Sequence, residues 1–73
     1  MVFRPAVLAV SRGDTLVWVN QAVVPHTVTA RDASWDSGEL RSGESFRLIV
    51  NEVGTIGYLC RYHPTMAGTL EVR

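Results

Sequence analysis

A chain of 73 residues can enclose one small core and is too short for a multi-domain enzyme. With 47% hydrophobic and only 19% charged residues it lies far from the polar, highly charged compositions that stay disordered. Seven arginines balance seven acids, with no lysine, so no basic face exists to neutralise a run of phosphates and nucleic acid is excluded as a partner.

The lone cysteine, Cys60, rules out an internal disulfide. A chain of this size buries only about 60% of its unfolded surface, so a metal or a partner is expected to contribute to stability. Residues 1–73 are read as one domain. The opening Met1-Val2-Phe3-Arg4-Pro5 holds no apolar stretch long enough for a signal peptide, and no later segment approaches the roughly 20 apolar residues of a membrane span.

Eleven valines, with isoleucine and threonine, give the β-branched excess of strands, in short runs closed by Gly, Asp, Asn or Pro. The pattern predicts strands over residues 6–10, 15–20, 27–30, 45–50, 57–60 and 69–72. Turns fall at Arg12-Gly13-Asp14, Arg41-Ser42-Gly43-Glu44 and Asn51-Glu52-Val53-Gly54, where glycine supplies positive φ. No segment sustains helical apolar spacing, and residues 31–40 leave room for one short turn at most. Short strands at this spacing predict an all-β sandwich or barrel around one interior. Trp18 reads as a core residue, Trp35 as a loop anchor, Tyr58 as structural with its ring covering the sandwich edge, and Asn20 as a turn holder.

The chemistry concentrates in Tyr58-Leu59-Cys60-Arg61-Tyr62-His63-Pro64-Thr65-Met66, where a thiol, an imidazole and a thioether recur every third residue. In a continuing strand Cys60 and His63 would face opposite sides. They converge only if the strand ends near Cys60, and Pro64 favours that by leaving a tight loop before the last strand. The other histidine, His26, follows Pro25 at the entrance to a strand. Singly, each residue has a plain reading: a buried cysteine is usually a small hydrophobe, and a methionine fills gaps. Jointly, His26, Cys60, His63 and Met66 form the donor set of a blue copper centre, with one thiolate, two imidazoles and a weak axial thioether.

On these residues the sequence resembles the cupredoxins, the blue copper family of plastocyanin, pseudoazurin and amicyanin. The loop Cys60-Arg61-Tyr62-His63-Pro64-Thr65-Met66, with two residues in each gap, is most similar to that of amicyanin. Gly13-Asp14-Thr15-Leu16-Val17-Trp18-Val19-Asn20 resembles the strand leading to the first ligand, Val24-Pro25-His26 the ligand itself, Gly54-Thr55-Ile56-Gly57-Tyr58-Leu59-Cys60 the strand entering the loop, and Gly68-Thr69-Leu70-Glu71-Val72 the closing strand. The likeness spans residues 4–73 and implies a small antiparallel Greek-key β-sandwich that lacks the usual first N-terminal strand. It implies one copper per chain, held by His26, Cys60, His63 and Met66, and a small soluble carrier that shuttles one electron to redox partner proteins docking near His63.

The resemblance has departures. Where plastocyanin and amicyanin place an Asn after the first His, this chain has Thr27, whose hydroxyl reaches less far across to the Cys loop. Tyr62 stands where the amicyanin-like loop has Pro, which leaves two readings open: its restored N–H points at the Cys60 sulfur, or the ring packs beside Pro25 with the amide in solvent. The absent strand predicts an uncovered sheet edge and weak self-association. A copper-delivery module without a redox partner is the alternative function, whereas zinc has little use for Met66. Catalysis fails by counting: copper oxidases and nitrite reductases need further histidines, and a binuclear copper centre needs a second cysteine. The family is exported, so the expected location is the periplasm or an equivalent compartment, without a signal peptide in this chain.

Overall fold

A computed structural model describes residues 2–73. Among the described residues there is no helix. Six strands, β1 (Val7–Val10), β2 (Thr15–Val19), β3 (Thr29–Ala30), β4 (Ser45–Ile49), β5 (Gly54–Leu59) and β6 (Ala67–Val72), form two sheets. One runs β1-β6-β5-β3 and the other pairs β2 with β4. All pairs are antiparallel except β1 with β6, which is parallel. No hairpin joins those two strands, so chain connectivity does not impose an antiparallel arrangement on them.

Side chains alternate inward and outward along the two-stranded sheet. In β2, Leu16 and Trp18 point inward while Thr15, Val17 and Val19 face solvent; in β4, Phe46 and Leu48 do the same against exposed Arg47 and Ile49. The register sets Trp18 opposite Phe46. Between the sheets Leu16, Val28, Leu40, Val50, Tyr58, Leu70 and Val72 are buried, together with Cys60 and Met66. Trp35 lies against Trp18, Phe46 and Tyr58 at ring-centroid distances of 5.8, 6.2 and 6.1 Å, which anchors the 31–40 loop on the sandwich as expected. Tyr58 is more central than its expected place at the sandwich edge. It is 3% exposed, and a Cβ on Gly68 would run into its ring. Gly68 is what lets the β6 backbone lie beneath that ring.

Three strand boundaries differ from expectation by more than one residue, each for a reason visible in its bonding. β5 begins at Gly54 instead of residue 57, because Gly54, Thr55 and Ile56 ladder with Val72, Glu71 and Leu70; long-range pairing overrides the poor strand propensity of glycine. β6 correspondingly starts at Ala67, opposite Leu59. β3 is shorter than the expected 27–30, because two of its amides bond to side chains. The Thr27 N–H donates to Cys60 Sγ and the Val28 N–H to Ser37 Oγ. The strand is cut where the chain turns its backbone to the site.

Candidate metal centre

β5 stops at Leu59, and the next seven residues form a closed loop. The Cys60 N–H donates to the Met66 carbonyl at 3.0 Å and the Met66 N–H to the His63 carbonyl at 2.8 Å. Ending the strand at Leu59 is what lets Cys60 and His63 share a side, as the spacing demanded. His26 arrives from the segment that leads into β3, the edge strand beside β5, its backbone fixed by reciprocal bonds with Leu40 of 3.0 and 2.7 Å. Asn20 sets the approach: its Nδ2 donates to the carbonyls of Val24 and Leu40, and its Oδ1 accepts from the Ala22 N–H.

The loop and the β3 entrance bring three donors together. Cys60 Sγ lies 3.7 Å from His26 Nδ1 and 3.9 Å from His63 Nδ1, and the three atoms lie within 4.8 Å of one another. Cys60 and His26 are buried, 0% and 4% exposed, while His63 is partly exposed. Met66 is buried in the hydrophobic cluster that includes Cys60, and its backbone is bonded to the Cys60 amide. The donor atoms of His26, Cys60 and His63 thus come together, and Met66 closes the loop that carries two of them.

The electrostatics suit a bound cation. Burial pushes the Cys60 thiol up, but the Thr27 amide, the His26 ring and, more weakly, the His63 and Tyr62 amides outweigh it, and the thiol is lowered to about 7. Among the described residues the Thr27 N–H is the backbone donor that closes on the sulfur, at 3.4 Å. The Tyr62 amide contributes least of these groups. Its hydroxyl reaches Glu39 Oε1 at 3.3 Å, so the ring is held toward Glu39. The donor spacing also fits a metal. Metal–thiolate and metal–imidazole bonds of about 2.3 and 2.0 Å, opened to about 120°, set sulfur and nitrogen about 3.7 Å apart.

Residues 1–73 match the family described as copper binding proteins, plastocyanin/azurin family. This chain is a cupredoxin. It is 33% identical to a plastocyanin of Scenedesmus fuscus over 86 residues, covering 100% of this chain and 88% of the relative. It is 30% identical to the amicyanin of Paracoccus denitrificans over 77 residues, covering 99% of this chain but 59% of the relative. A solved purple cupredoxin from Nitrosopumilus maritimus superposes with a TM-score of 0.92 at 28% identity, over 99% of this chain and 82% of that one. Copper is therefore the metal for which this cupredoxin's thiolate and two imidazoles are suited.

Some residues at the centre are not singled out by local spacing. Thr29, Asp36 and Ser37 lie outside the ligand motifs, yet each bonds into the backbone or side chains that carry them. The available signal is faint: Thr27 and Thr29 stand two apart in a strand and so share a face. Asp36 and Ser37 come into place only because the 31–40 loop folds back, with Thr29 bridging to Asp36 and the Ser37 N–H donating to the Val28 carbonyl.

Proposed function

We propose that this chain is a small soluble electron carrier in which His26 Nδ1, Cys60 Sγ and His63 Nδ1 hold one copper, with Met66 as a weak axial ligand. The observation that carries the reading is the mixture of burial around one donor cluster: Cys60 and His26 are sealed from water while His63 is partly exposed. Copper so held supplies a one-electron exchange between its cuprous and cupric states. The protein's part is to fix the donors and exclude water. Cys60 sits in a loop closed at both ends, His26 is clamped by Leu40, and the Thr27 N–H holds the sulfur in one direction. A site so constrained changes shape little between oxidation states.

His63 is the exit to a partner. Beside the two histidines in the chain stand exposed apolar residues, Val23 at 92% exposure, Val24 at 41% and Pro25 before His26, and Tyr62 at 45% and Pro64 flanking His63, which suit brief contact with a redox protein. A second copper centre of the oxidase or nitrite reductase kind would need further histidines or a second cysteine, and in this reading both histidines and the single cysteine are already ligands. The family resemblance supports an exported compartment such as the periplasm for such a carrier. No helix among the described residues is long and apolar enough to cross a membrane.

The test is the visible spectrum of the copper-loaded protein. An intense thiolate charge-transfer band that disappears in Cys60→Ser, together with rapid outer-sphere electron exchange, supports the carrier. A colourless protein that retains only cuprous copper overturns it in favour of copper delivery.

A further inference from the structure

Thr27 stands where the family resemblance leads one to expect an Asn reaching across to the Cys loop. The Arg61 N–H, one residue beyond Cys60, donates to Thr27 Oγ1 at 2.8 Å. Thr27 Oγ1 lies 3.0 Å from Thr29 Oγ1, and Thr29 Oγ1 donates to Asp36 Oδ1 at 2.9 Å. The other carboxylate oxygen, Asp36 Oδ2, pairs with Arg61 Nη2 at 3.0 Å. The series starts at the Arg61 amide and returns to the Arg61 guanidinium.

Proton counting gives this circuit one direction. A carboxylate only accepts, so Thr29 must spend its single hydroxyl proton on Asp36. The Thr29 oxygen is then the acceptor for the Thr27 hydroxyl, and the Thr27 oxygen is free to accept the Arg61 N–H. Thr27 is 0% and Thr29 7% exposed, so no water competes along the middle of the chain, and each bond polarises the next. The Gly38 amide above all, helped by Thr29 and the Arg61 guanidinium, holds the Asp36 carboxyl below the usual range against burial, whose opposing effect is second only to that of Gly38. The half-exposed Asp36–Arg61 ion pair alone would contribute little. Its effect comes through the buried hydroxyls it orients. The same Thr27 presents its amide to Cys60 Sγ.

We propose that Asp36 is a positioning residue for the metal-holding loop, acting through Thr29 and Thr27 to fix the Cys60–Arg61 turn and the N–H···S contact at the thiolate. The effect on copper rests on Cys60 being its ligand, whereas the effect on the loop does not.

Amide hydrogen exchange of the metal-free protein, read by NMR, tests the loop directly in Asp36→Ala, Thr29→Val and Thr27→Ser, with Asp32→Ala as a control acid on the same loop. One hydrogen bond contributes about 1 kcal/mol net, or about five-fold in an opening equilibrium. Asp36→Ala and Thr29→Val are expected to speed exchange at Arg61 about five-fold beyond any change at Leu70 in β6. Thr27→Ser, which keeps the hydroxyl, and Asp32→Ala are expected to leave it unchanged. In the copper-loaded forms the first two variants are expected to lower the reduction potential, with the double variant no further displaced than either single one. Arg61 exchange within two-fold of the parent in both variants, or an equal effect from Asp32→Ala, overturns the proposal. If the parent shows no thiolate-to-copper band, the ligand assignment falls while the exchange data still decide the circuit.

Discussion

Cys60 is chemically unusual because two opposed effects act on one atom. Full burial disfavours a thiolate, yet the Thr27 amide and the His26 ring overcome that cost and lower the thiol from 9.0 to about 7. The sign of the linkage follows: the unfolded thiol binds its proton up to about pH 9, the native one only to about pH 7. The metal-free protein therefore gains stability as pH rises from 7 to 9, holds the full amount above 9, and loses it as pH falls through 7. The gain is on the order of 2 kcal/mol. Urea unfolding across that window should show it, and Cys60→Ser should flatten the rise. The sequence displays the donors plainly, since Cys-x-x-His-x-x-Met and Pro-His are local patterns. It does not display what poises them. Nothing in the spacing of Thr29 or Asp36 connects either to Arg61, because that connection exists only after the 31–40 loop has folded back on β3.

At the scale of the elements, β4 is partly readable from the alternation of Ser45, Phe46, Arg47 and Leu48, whereas β2 is not, since its outward Val17 and Val19 are as apolar as its inward Leu16 and Trp18. The β5–β6 pair is less readable, because its glycines carry no hydrophobic signal and are needed for reasons of contact. Gly57 and Gly68 make the point, being neighbours on adjacent strands that differ in what surrounds them. A Cβ at Gly68 meets the ring of buried Tyr58, which has nowhere to go. A Cβ at Gly57 meets Arg31 Cδ at 2.9 Å and Nε at 3.1 Å, part of a flexible surface side chain that can swing aside. Gly68→Ala is expected to cost about 3 kcal/mol and Gly57→Ala less than about 1 kcal/mol. Thermal melts of the two metal-free variants would check this, and equal losses would show that the Tyr58 contact is not the constraint.

For the whole molecule, the donors come from segments far apart in the chain, His26 before β3 and Cys60, His63 and Met66 between β5 and β6. A copper ion that joined them would clamp the β3–β5 pairing at its Thr29–Leu59 end, and that pairing itself spans only Thr29–Leu59 and Ala30–Tyr58. Binding the native state alone contributes about 2.7 kcal/mol at a free concentration 100 times Kd. For a protein of this size that corresponds to a rise in Tm of roughly 10 to 20 °C. Calorimetry with and without copper should show it, and Met66→Ala should retain most of it, since a thioether in the proposed fourth place would be the weakest ligand.

The direction of β6 has a practical consequence. The strand leaves the donor loop at Ala67 and runs away from it to Val72, and the Arg73 backbone is bonded to Val10 and Arg12. Six residues at about 3.3 Å each set Arg73 about 20 Å from the loop. Phe3 and Arg4, by contrast, line the same groove as His26 and Met66. A linker fused after Arg73 should therefore hold the protein on an electrode with His63 facing outward, free to meet a soluble partner. The same linker placed before Phe3 would crowd the donor end, and the two orientations should differ in their rate of partner-mediated discharge while sharing one spectrum.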